Sequence, residues 1–402
     1  MTTALTIAAA CFLLLALHPF VTYPLSLLML RPLVARSRVL RRSKSGAADD
    51  PGAADDPDAA DDNGEPVSFA ICMCAYNEER VIEQKVRNLL RLREREPGLA
   101  ILIYVDASTD RTAHILRRYA SQIELYVSRE RHGKTYGMNL LSARATADVL
   151  VFTDANVMLD LDCLNDLRDH FADPQVGCVC GNLNYTNDGA SVTASSGSLY
   201  WRFEEALKRL ESATGSMMGA DGSIFAIRRR LRHAPPDHII DDMYVSLMAL
   251  VDGHRVIQAH DVCAYEESVT NAGEEFSRKV RIACQAFNVH RLLWPRLRRT
   301  DLLTRYKYVS HKLIRWLSIY FLALAALTGI AALISAGYAV LAVVLVALAA
   351  LGLVLGHVWS VKPFAQVVDV LVALAGAGLG VWRSLRGERF QTWTPANSIR
   401  GG

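Results

Sequence analysis

Apolar residues are concentrated at the two ends of the chain, whereas the middle has the mixed pattern of a globular domain. No Asp, Glu, Lys or Arg occurs in residues 1–30, nor between Trp316 and Val361, and Ser335-Ala336-Gly337 divides the second run in two. A third stretch, Phe364–Trp382, carries a single acid, Asp369. Because a helix rises about 1.5 Å per residue, about 20 apolar residues cross the hydrocarbon core of a bilayer. The pattern predicts one N-terminal and about three C-terminal membrane segments, as in a multi-pass protein of the cell membrane that contacts membrane lipids.

Basic residues indicate which side of the membrane the middle of the chain occupies. They follow the first apolar run, at Arg31, Arg36, Arg38, Arg41, Arg42 and Lys44. A cleaved signal peptide has its basic residues before the apolar core, so this order favours a retained anchor over a signal peptide. By the positive-inside rule the N-terminus is outside and the following domain is cytoplasmic. Pro19 and Pro24 are expected to bend the anchor.

Changes of composition divide the chain into five regions. They are an N-terminal transmembrane helix (1–30), a basic and then acidic flexible linker (31–65), a cytoplasmic domain (66–300), a membrane region (301–383) and a C-terminal tail (384–402). The linker repeats Ala-Ala-Asp-Asp three times and has almost no large apolar residue, so it cannot bury a core. One span followed by three would leave the Arg-rich tail outside, against the charge rule. Either one C-terminal segment lies in the membrane–water interface or re-enters the membrane without crossing it, or the tail is on the outer side of the membrane.

In the cytoplasmic domain, continuous apolar runs alternate with segments of helical periodicity. The runs predict strands at Val67–Cys74, Ala100–Val105, Ile123–Val127 and Val149–Phe152, and the periodic segments predict helices from Val81 to Pro97, over Arg111–Tyr119 and over Tyr136–Ala145. Strands that alternate with helices indicate an α/β fold with a parallel sheet and right-handed crossovers.

Three of these strands end in polar residues. Tyr76-Asn77-Glu78 follows the first strand, Asp106 follows the second, and Asp154 follows the fourth. Ligands of open α/β sheets bind beyond the carboxyl ends of the strands. The coincidence predicts a nucleotide-type site at this edge, with Asp106 as the candidate for a base or ribose contact.

The residues that follow the fourth predicted strand, Val149–Phe152, could bind a metal ion. Asp154-Ala155-Asn156 offers a carboxylate and an amide oxygen, hard ligands for Mg²⁺ or Mn²⁺ shared with a substrate diphosphate. An ordinary turn is the alternative, since Asp and Asn are common there. The basic glycine loop Arg129–Lys134 is suited to phosphate oxygens, unless it is a solvated turn.

A pair of acids, Asp241 and Asp242, precedes an apolar helical stretch. One acid of the pair is explained as a helix cap. Two adjacent acids among apolar neighbours also suit a general base, which takes the proton of an attacking hydroxyl.

Composition excludes several classes of protein. The net charge is only +3, from 44 Lys and Arg against 41 Asp and Glu, which is too balanced for a general nucleic-acid binder. Eight cysteines in 402 residues are no disulfide scaffold. The pairs Cys72/Cys74 and Cys178/Cys180 are expected on one face of a strand each, as small buried thiols.

Taken in order, these motifs resemble the family 2 glycosyltransferases of the GT-A fold. The donor half is carried by Ala75–Glu79, Asp106–Asp110, Gly133-Lys134 and Asp154-Ala155-Asn156, and the acceptor half by Gly219–Gly222, Phe225–Arg228, Ile240–Asp242 and Arg278–Arg281. The order and spacing of these motifs resemble those of the membrane-embedded branch of the family, which contains the cellulose, chitin, hyaluronan and poly-N-acetylglucosamine synthases. The resemblance covers about residues 66–294 and implies a Rossmann-like GT-A domain between membrane helices.

The resemblance also implies a role for each matching residue. Tyr76, Glu78 and Asp106 hold the uridine, Lys134 lies near the nucleotide, and Asp154 and Asn156 occupy the metal and diphosphate motif. Asp221 and Gly222 belong to the acceptor site, Asp242 is the general base with Asp241 beside it, and Arg281 steadies the diphosphate. Trp393 falls in the region that resembles the gating loop.

Three positions depart from the family pattern. Asn156 replaces the second acid of the metal motif, and Ile240 and Asp241 replace Thr and Glu. Arg278 and Ile282 stand where Gln and Trp are usual, so the stacking platform for an acceptor sugar is absent.

The sequence thus predicts an inverting transfer of a sugar from a nucleotide-sugar, with UDP favoured, to a growing polysaccharide or lipid-linked glycan. Transfer of one sugar to a polyprenyl phosphate or other lipid acceptor is the first alternative, and a catalytically silent scaffold is the second. An export partner or a homo-oligomer is compatible with so few membrane segments.

Overall fold

The computed structural model describes residues 1–45, 67–186, 192–266 and 272–392. The three acidic repeats of the predicted linker and Trp393 lie outside these residues. These ranges contain eight strands, which are β1 (Phe69–Ala75), β2 (Ala100–Val105), β3 (Glu124–Val127), β4 (Val149–Asp154), β5 (Met158–Leu159), β6 (Val176–Tyr185), β7 (Ile224–Arg228) and β8 (Arg255–Glu266).

The α-helices of the described residues fall into a domain set and a set that flanks the domain in sequence. The domain helices are α3 (Ile82–Arg95), α4 (Thr112–Arg117), α5 (Lys134–Arg144), α6 (Cys163–Phe171), α7 (Val192–Ala213), α8 (Asp241–Val251) and α9 (Ala272–Leu297). The others are α1 (Thr2–Leu17), α2 (Thr22–Ser45), α10 (Leu302–Tyr308), α11 (Ile314–Ser335), α12 (Ala339–His357) and α13 (Phe364–Leu385). A π-helical turn, Val309–Leu313, joins α10 to α11 in one continuous helix.

All eight strands form one sheet in the order β3-β2-β1-β4-β7-β6-β8-β5. The first four strands of this order pair in parallel, as the alternation of strands and helices predicts. Beyond β4 the sheet is mixed, because β7 runs antiparallel to both β4 and β6, whereas β6 pairs in parallel with β8. The donor and acceptor halves of the domain meet at the β4–β7 pair.

The sheet separates two apolar cores. In β1, Phe69, Ile71 and Met73 face a core with α3, α4 and α6, while Cys72 and Cys74 face a core with α5, α8 and α9. Each fully buried aliphatic or aromatic side chain contributes about 1.5–3 kcal/mol to folding. The two cysteine pairs are buried free thiols on one strand face each, as the spacing predicts.

Among the described residues, three helices are long and apolar enough to cross a membrane: the continuous helix Leu302–Ser335, α12 and α13. The helices α1 and α2 together form a fourth candidate, bent by 62° at the break that contains Pro19. The helix α2 continues through the basic residues to Ser45. Arginine is a good helix former, so the change of composition there does not end the helix.

The helix α13 packs closely against α9 through glycines. A side chain at Gly380 would collide with Val280, Ala283 and Cys284, and one at Gly378 would collide with Ile319 of α11. Because glycine has no side chain, α13 can approach α9, the helix that carries Arg278 and Arg281, closely enough for the two helices to be in contact.

Candidate functional site

The carboxyl ends of three strands meet at one edge of the sheet. Because β1 lies between β2 and β4, Cys74 pairs with both Tyr104 and Asp154. This register brings the loops that follow Ala75 and Val105 together next to Asp154. The predicted convergence of these three strand ends is therefore present.

The loops that follow β1 and β2 are joined by hydrogen bonds. Asn77 and Ala107 both have left-handed backbone conformations, with φ of 53° and 52°. The amide of Asn77 donates to Ser108 Oγ at 3.1 Å, and its own Oδ1 accepts from the amide of Thr109 at 2.9 Å. Asp110 accepts from the amides of Glu79 and Thr112, so it connects the loop that follows β1 to the first residue of α4.

Asp106 is fully buried and holds the basic loop in place. Its carboxylate accepts hydrogen bonds from Arg131 Nε at 3.1 Å, from the amide of His132 at 2.8 Å and from the amide of Gly133 at 3.0 Å. The guanidinium of Arg131 in turn lies 3.4 Å from the ring centroid of Tyr76. Asp106, Arg131 and Tyr76 thus form one unit beyond the ends of β1 and β2.

The C-terminal segment contacts this loop, which the sequence did not predict. Gln391 Nε2 donates to the carbonyl of His132 at 3.1 Å, and a side chain at Gly133 would collide with the backbone of Gln391. Gln285 of α9 donates to the carbonyl of Phe390 at 3.0 Å. Gln391 and His132 are 259 positions apart in the chain, and no local sequence pattern predicts a contact over such a separation.

Lys134 connects the donor and acceptor motifs. Its Nζ lies 2.6 Å from Asp154 Oδ1, and a Cβ at Gly222 would be 3.1 Å from this nitrogen and 2.9 Å from Asp242 Oδ2. Burial disfavours the charged lysine, but the carboxylates of Asp154, Asp241 and Asp242 outweigh burial and raise the pKa of Lys134. Lys134 is therefore a fixed positive charge between Asp154 and Asp242.

Asp241 and Asp242 are the first two residues of α8, and both are buried. The expectation that one of them caps the helix is wrong, because Ile240 occupies the N-cap position and no side chain caps this end. Burial and the neighbouring charge of Asp241 raise the pKa of Asp242 to about 7, against the opposing effect of Lys134. Asp242 Oδ1 accepts from the amide of Met243 at 2.5 Å. Asp241 Oδ2 is buried and accepts no hydrogen bond from any described residue. A carboxyl group that titrates near neutral pH is suited to proton transfer.

Asp221 is held by a lysine that the sequence analysis missed. Lys208 Nζ of α7 lies 2.6 Å from Asp221 Oδ2 and 2.8 Å from Glu205 Oε1. Asp221 Oδ1 is buried without a hydrogen-bond donor among the described residues. In the sequence, only the three-residue spacing of Glu205 and Lys208 points to an ion pair on α7. Because such pairs are common on helix surfaces, this spacing does not indicate a functional role for Lys208.

The turn Asp154-Ala155-Asn156, which follows β4, contacts β8 through Asn156. Asn156 Nδ2 donates to Glu266 Oε1 at 2.7 Å. Burial raises the pKa of Glu266 to about 7, opposed by Arg278 and supported by the charge of Asp154. Arg281 also interacts with Asp154, which partly offsets the lowering of its own pKa by burial and by Arg278. Glu266 and Arg278 therefore join the site, whereas Glu267 lies outside the described residues.

The residues of this turn fit a metal that is shared with a substrate. Within the described ranges, no group of three or more His, Cys, Asp or Glu side chains is arranged to hold a metal ion. Lys134 takes one oxygen of Asp154, and Asn156 donates its amide nitrogen elsewhere, which leaves its amide oxygen for a hard cation. Mg²⁺ sites commonly use one or two side chains and take their other ligands from phosphates and water.

Comparisons with known proteins agree with this architecture. Residues 70–233 match the family described as "Glycosyl transferase family 2". No curated protein sequence matches the chain. Among solved structures, a mannosyltransferase of Pyrobaculum calidifontis in complex with GDP-Man and Mn²⁺ has a TM-score of 0.66 at 21% identity, covering 96% of this chain and 99% of that one. TarS 1–349 of S. aureus in complex with UDP has a TM-score of 0.45 at 15% identity, covering 82% and 95%.

The Pyrobaculum structure shares the fold along nearly the whole chain, and the family match covers the strands that carry Asp106 and Asp154. The predictions of a GT-A fold and of a glycosyltransferase are thereby confirmed. Residues 70–233 of this chain form a domain that matches glycosyl transferase family 2, and the chain has the GT-A fold.

Proposed function

We propose that the protein transfers a sugar from a nucleoside diphosphate sugar to an acceptor hydroxyl at the membrane surface, with inversion. The observation that carries the proposal is the position of Asp242. This buried carboxyl group lies beside the Lys134–Asp154 ion pair, so a proton acceptor adjoins the predicted diphosphate site.

The nucleoside of the donor is assigned to the unit formed by Tyr76, Arg131 and Asp106. An aromatic ring covered by a guanidinium offers planar surfaces for a base, and Asp106 keeps the loop in position. Glu78 is buried at the same strand end and remains assigned to the nucleoside. The diphosphate is assigned to Lys134, Arg281 and the Asp154 turn.

The transfer itself is a single displacement. Asp242 takes the proton of the acceptor hydroxyl while the hydroxyl oxygen attacks the anomeric carbon, and the nucleoside diphosphate leaves on the opposite face. Lys134 and Arg281 offset the negative charge that develops on the leaving group. A Mg²⁺ or Mn²⁺ ion bound by Asp154 and Asn156 would add to this charge stabilisation.

Transfer activity should rise with pH through about 7. Asp242 accepts a proton only when it is ionised, and its pKa is raised to about 7. Initial transfer rates measured from pH 5.5 to 8.5 at saturating donor check this. Glu266 titrates in the same range, so Glu266→Gln is the control and should keep the pH dependence. A rate that does not change with pH over this range would contradict the assignment of Asp242.

The negative charge around Asp221 and Asp242, where the acceptor is proposed to bind, favours an acceptor that attacks through a hydroxyl group over one that attacks through a phosphate. Five carboxyl groups, Glu205, Asp221, Asp241, Asp242 and Glu266, lie on this side, and Lys208 is already paired with two of them. A polyprenyl phosphate is ionised before it attacks, so it needs no base and would be repelled here. The buried acceptors Asp221 Oδ1 and Asp241 Oδ2 instead suit the hydroxyl groups of a sugar.

Transfer of a single sugar to a lipid-linked glycan is a second candidate. Ile282 stands where the related synthases have an aromatic residue, and its side chain is 37% exposed. An aliphatic residue gives little of the stacking energy that would retain a growing chain after each addition.

Product size tests both candidates. Purified protein in detergent is incubated with labelled UDP- and GDP-sugars, a divalent ion and a membrane extract as acceptor source. A ladder of products from one donor supports a polymer synthase, and a single addition on a glycolipid supports the second candidate. Release of sugar only onto lipid phosphate would contradict the hydroxyl acceptor.

Contacts of α13 support a topology in which this helix lies along the membrane surface. It starts against Gly352 and Gly356 near the end of α12, and residues 388–391, which follow its last residue Leu385, contact the catalytic domain. Since α11 and α12 are joined by a tight turn, α12 returns to the side from which α11 started. Both ends of α13 are then on the catalytic side, so the tail is cytoplasmic and the conflict with the charge rule disappears.

Accessibility of single cysteines checks this topology. On a cysteine-free background, Arg386→Cys should react with an impermeant thiol reagent from the same side as Arg117→Cys of α4. Tyr338→Cys, in the turn between α11 and α12, should react only from the other side. Labelling of Arg386→Cys together with Tyr338→Cys would show that α13 crosses the membrane.

A further inference from the structure

The turn that carries Asp154 and Asn156 is held from inside the domain by a lysine of α3. Lys85 is fully buried, and its Nζ donates to Thr153 Oγ1 at 3.1 Å and to the carbonyl oxygen of Val157. Thr153 immediately precedes the turn, and Val157 immediately follows it. One ammonium group therefore joins the two ends of the turn.

A second side chain of α3 extends this contact. Asn88 donates from Nδ2 to the carbonyl of Leu159 at 2.8 Å and accepts at Oδ1 from the amide of Leu159 at 2.9 Å. Lys85 and Asn88 are three residues apart and lie on the same face of the helix. Together they attach residues 153–159 to α3.

The charge of Lys85 is costly to bury. Within the described parts of the chain it forms no ion pair, and the ionisable groups that act on it are Asp154 of β4 and Cys163 of α6. Burial lowers the pKa of Lys85 to about 7, although the charge of Asp154 opposes this. An apolar side chain would fill the same space without the desolvation cost, but it would not bond both ends of the turn.

We propose that Lys85 is a positioning residue for the donor diphosphate, because its ammonium group fixes both ends of the turn that presents Asp154 and Asn156. The inference rests on the proposed function, since it assigns this turn to the donor. Lys85 itself touches no substrate in this arrangement. Its effect is on where the oxygens of Asp154 and Asn156 lie when the donor binds.

Donor affinity and local backbone protection test the proposal in the full-length protein in detergent. The variants are Lys85→Met, which removes the donor groups, and Lys85→Gln, which keeps a neutral one. Leu89→Ala is the matched control, since Leu89 is a fully buried residue of the same helix that packs only in the apolar core. For each protein we would measure the Kd of UDP and of GDP with Mn²⁺, the Tm and the hydrogen exchange of residues 153–159.

The Lys85 variants should raise the Kd of the bound nucleotide by about 10–100-fold, as is usual when a group that orients a ligand-binding side chain is removed. Exchange in residues 153–159 should accelerate in the same variants. Leu89→Ala should lower the Tm at least as much and leave the Kd unchanged. Equal nucleotide affinity in the Lys85 variants and the Leu89 control would overturn the proposal.

Two further outcomes are also decisive. If Lys85→Met does not fold, the Kd and the exchange rates of Lys85→Gln decide the question. If the wild-type protein binds neither nucleotide, the proposed function fails and the role of Lys85 fails with it. Wild-type binding combined with unaffected Lys85 variants overturns the role of Lys85 alone.

Discussion

Replacing Asp242 by Asn should reduce the transfer rate by about 10²–10⁴-fold, which is the usual contribution of a general base. The amide keeps the shape of the side chain but cannot take the proton of the acceptor hydroxyl. Because Asp242 is assigned to the acceptor and not to the nucleotide, the Kd of the donor should change little. The rate is measured as labelled sugar transferred at saturating donor, beside the Kd of the same donor.

Asp252→Asn is the matched control for this experiment. Asp252 follows the last residue of the same helix, α8, and pairs with His233 away from the site. The control should keep wild-type activity. Near-normal transfer by Asp242→Asn would show that another group removes the proton.

Replacing Asp106 by Asn should weaken both donor binding and the catalytic domain. The carboxylate accepts from Arg131 and from two backbone amides in a fully buried position, and an amide cannot satisfy all of these donors. Removing one partner of a buried ion pair typically costs about 3–5 kcal/mol. The loss of even one charge-assisted hydrogen bond of about 1.5–3 kcal/mol corresponds to a fall in donor affinity on the order of 10–100-fold.

The control for Asp106 is a carboxylate at the opposite edge of the same strands. Asp148 precedes β4 and accepts from the amide and the hydroxyl of Ser68, just before β1. Asp148→Asn should lower the Tm slightly and leave the donor Kd unchanged. If Asp106→Asn binds the donor as tightly as the wild type, then Asp106 does not organise the nucleotide site.

The donor half of the fold was predictable because its signals are local. The strands β1, β2 and β4 are buried, largely apolar runs that end in polar residues, and the predicted run Val67–Cys74 differs from β1 by only a residue or two at each end. A buried parallel strand has no polar face, so its sequence stands out from the helices around it. The convergence of Asp106 and Asp154 then follows from the parallel arrangement alone.

The acceptor half was not predictable in the same way, because its geometry depends on distant contacts. The antiparallel insertion of β7 between β4 and β6 has no sequence signal comparable to the alternation of strands and helices. Lys208 is a basic residue of an amphipathic helix, and no pattern in its local sequence indicates that the fold places Asp221 beside it. Lys85 resembles any charged residue of a surface helix, yet it is fully buried.

The membrane region illustrates the same limit. Hydropathy identifies α13 as a candidate span, and by length and composition it is one. Only its contacts with α9 and α11, and those of the following segment with His132, support a position on the membrane surface. Apolar composition alone does not distinguish a helix that crosses the bilayer from one that lies against it.

The stereochemistry of the product distinguishes a single displacement from other routes of sugar transfer. The anomeric proton is followed by ¹H NMR while the purified protein acts on UDP- and GDP-sugars in the presence of Mn²⁺ and acceptor. A single displacement assisted by Asp242 predicts that the α-linked sugar of the donor appears in a β-linked product as nucleoside diphosphate is released. An α-linked product, or no consumption of any nucleotide sugar, would contradict the account.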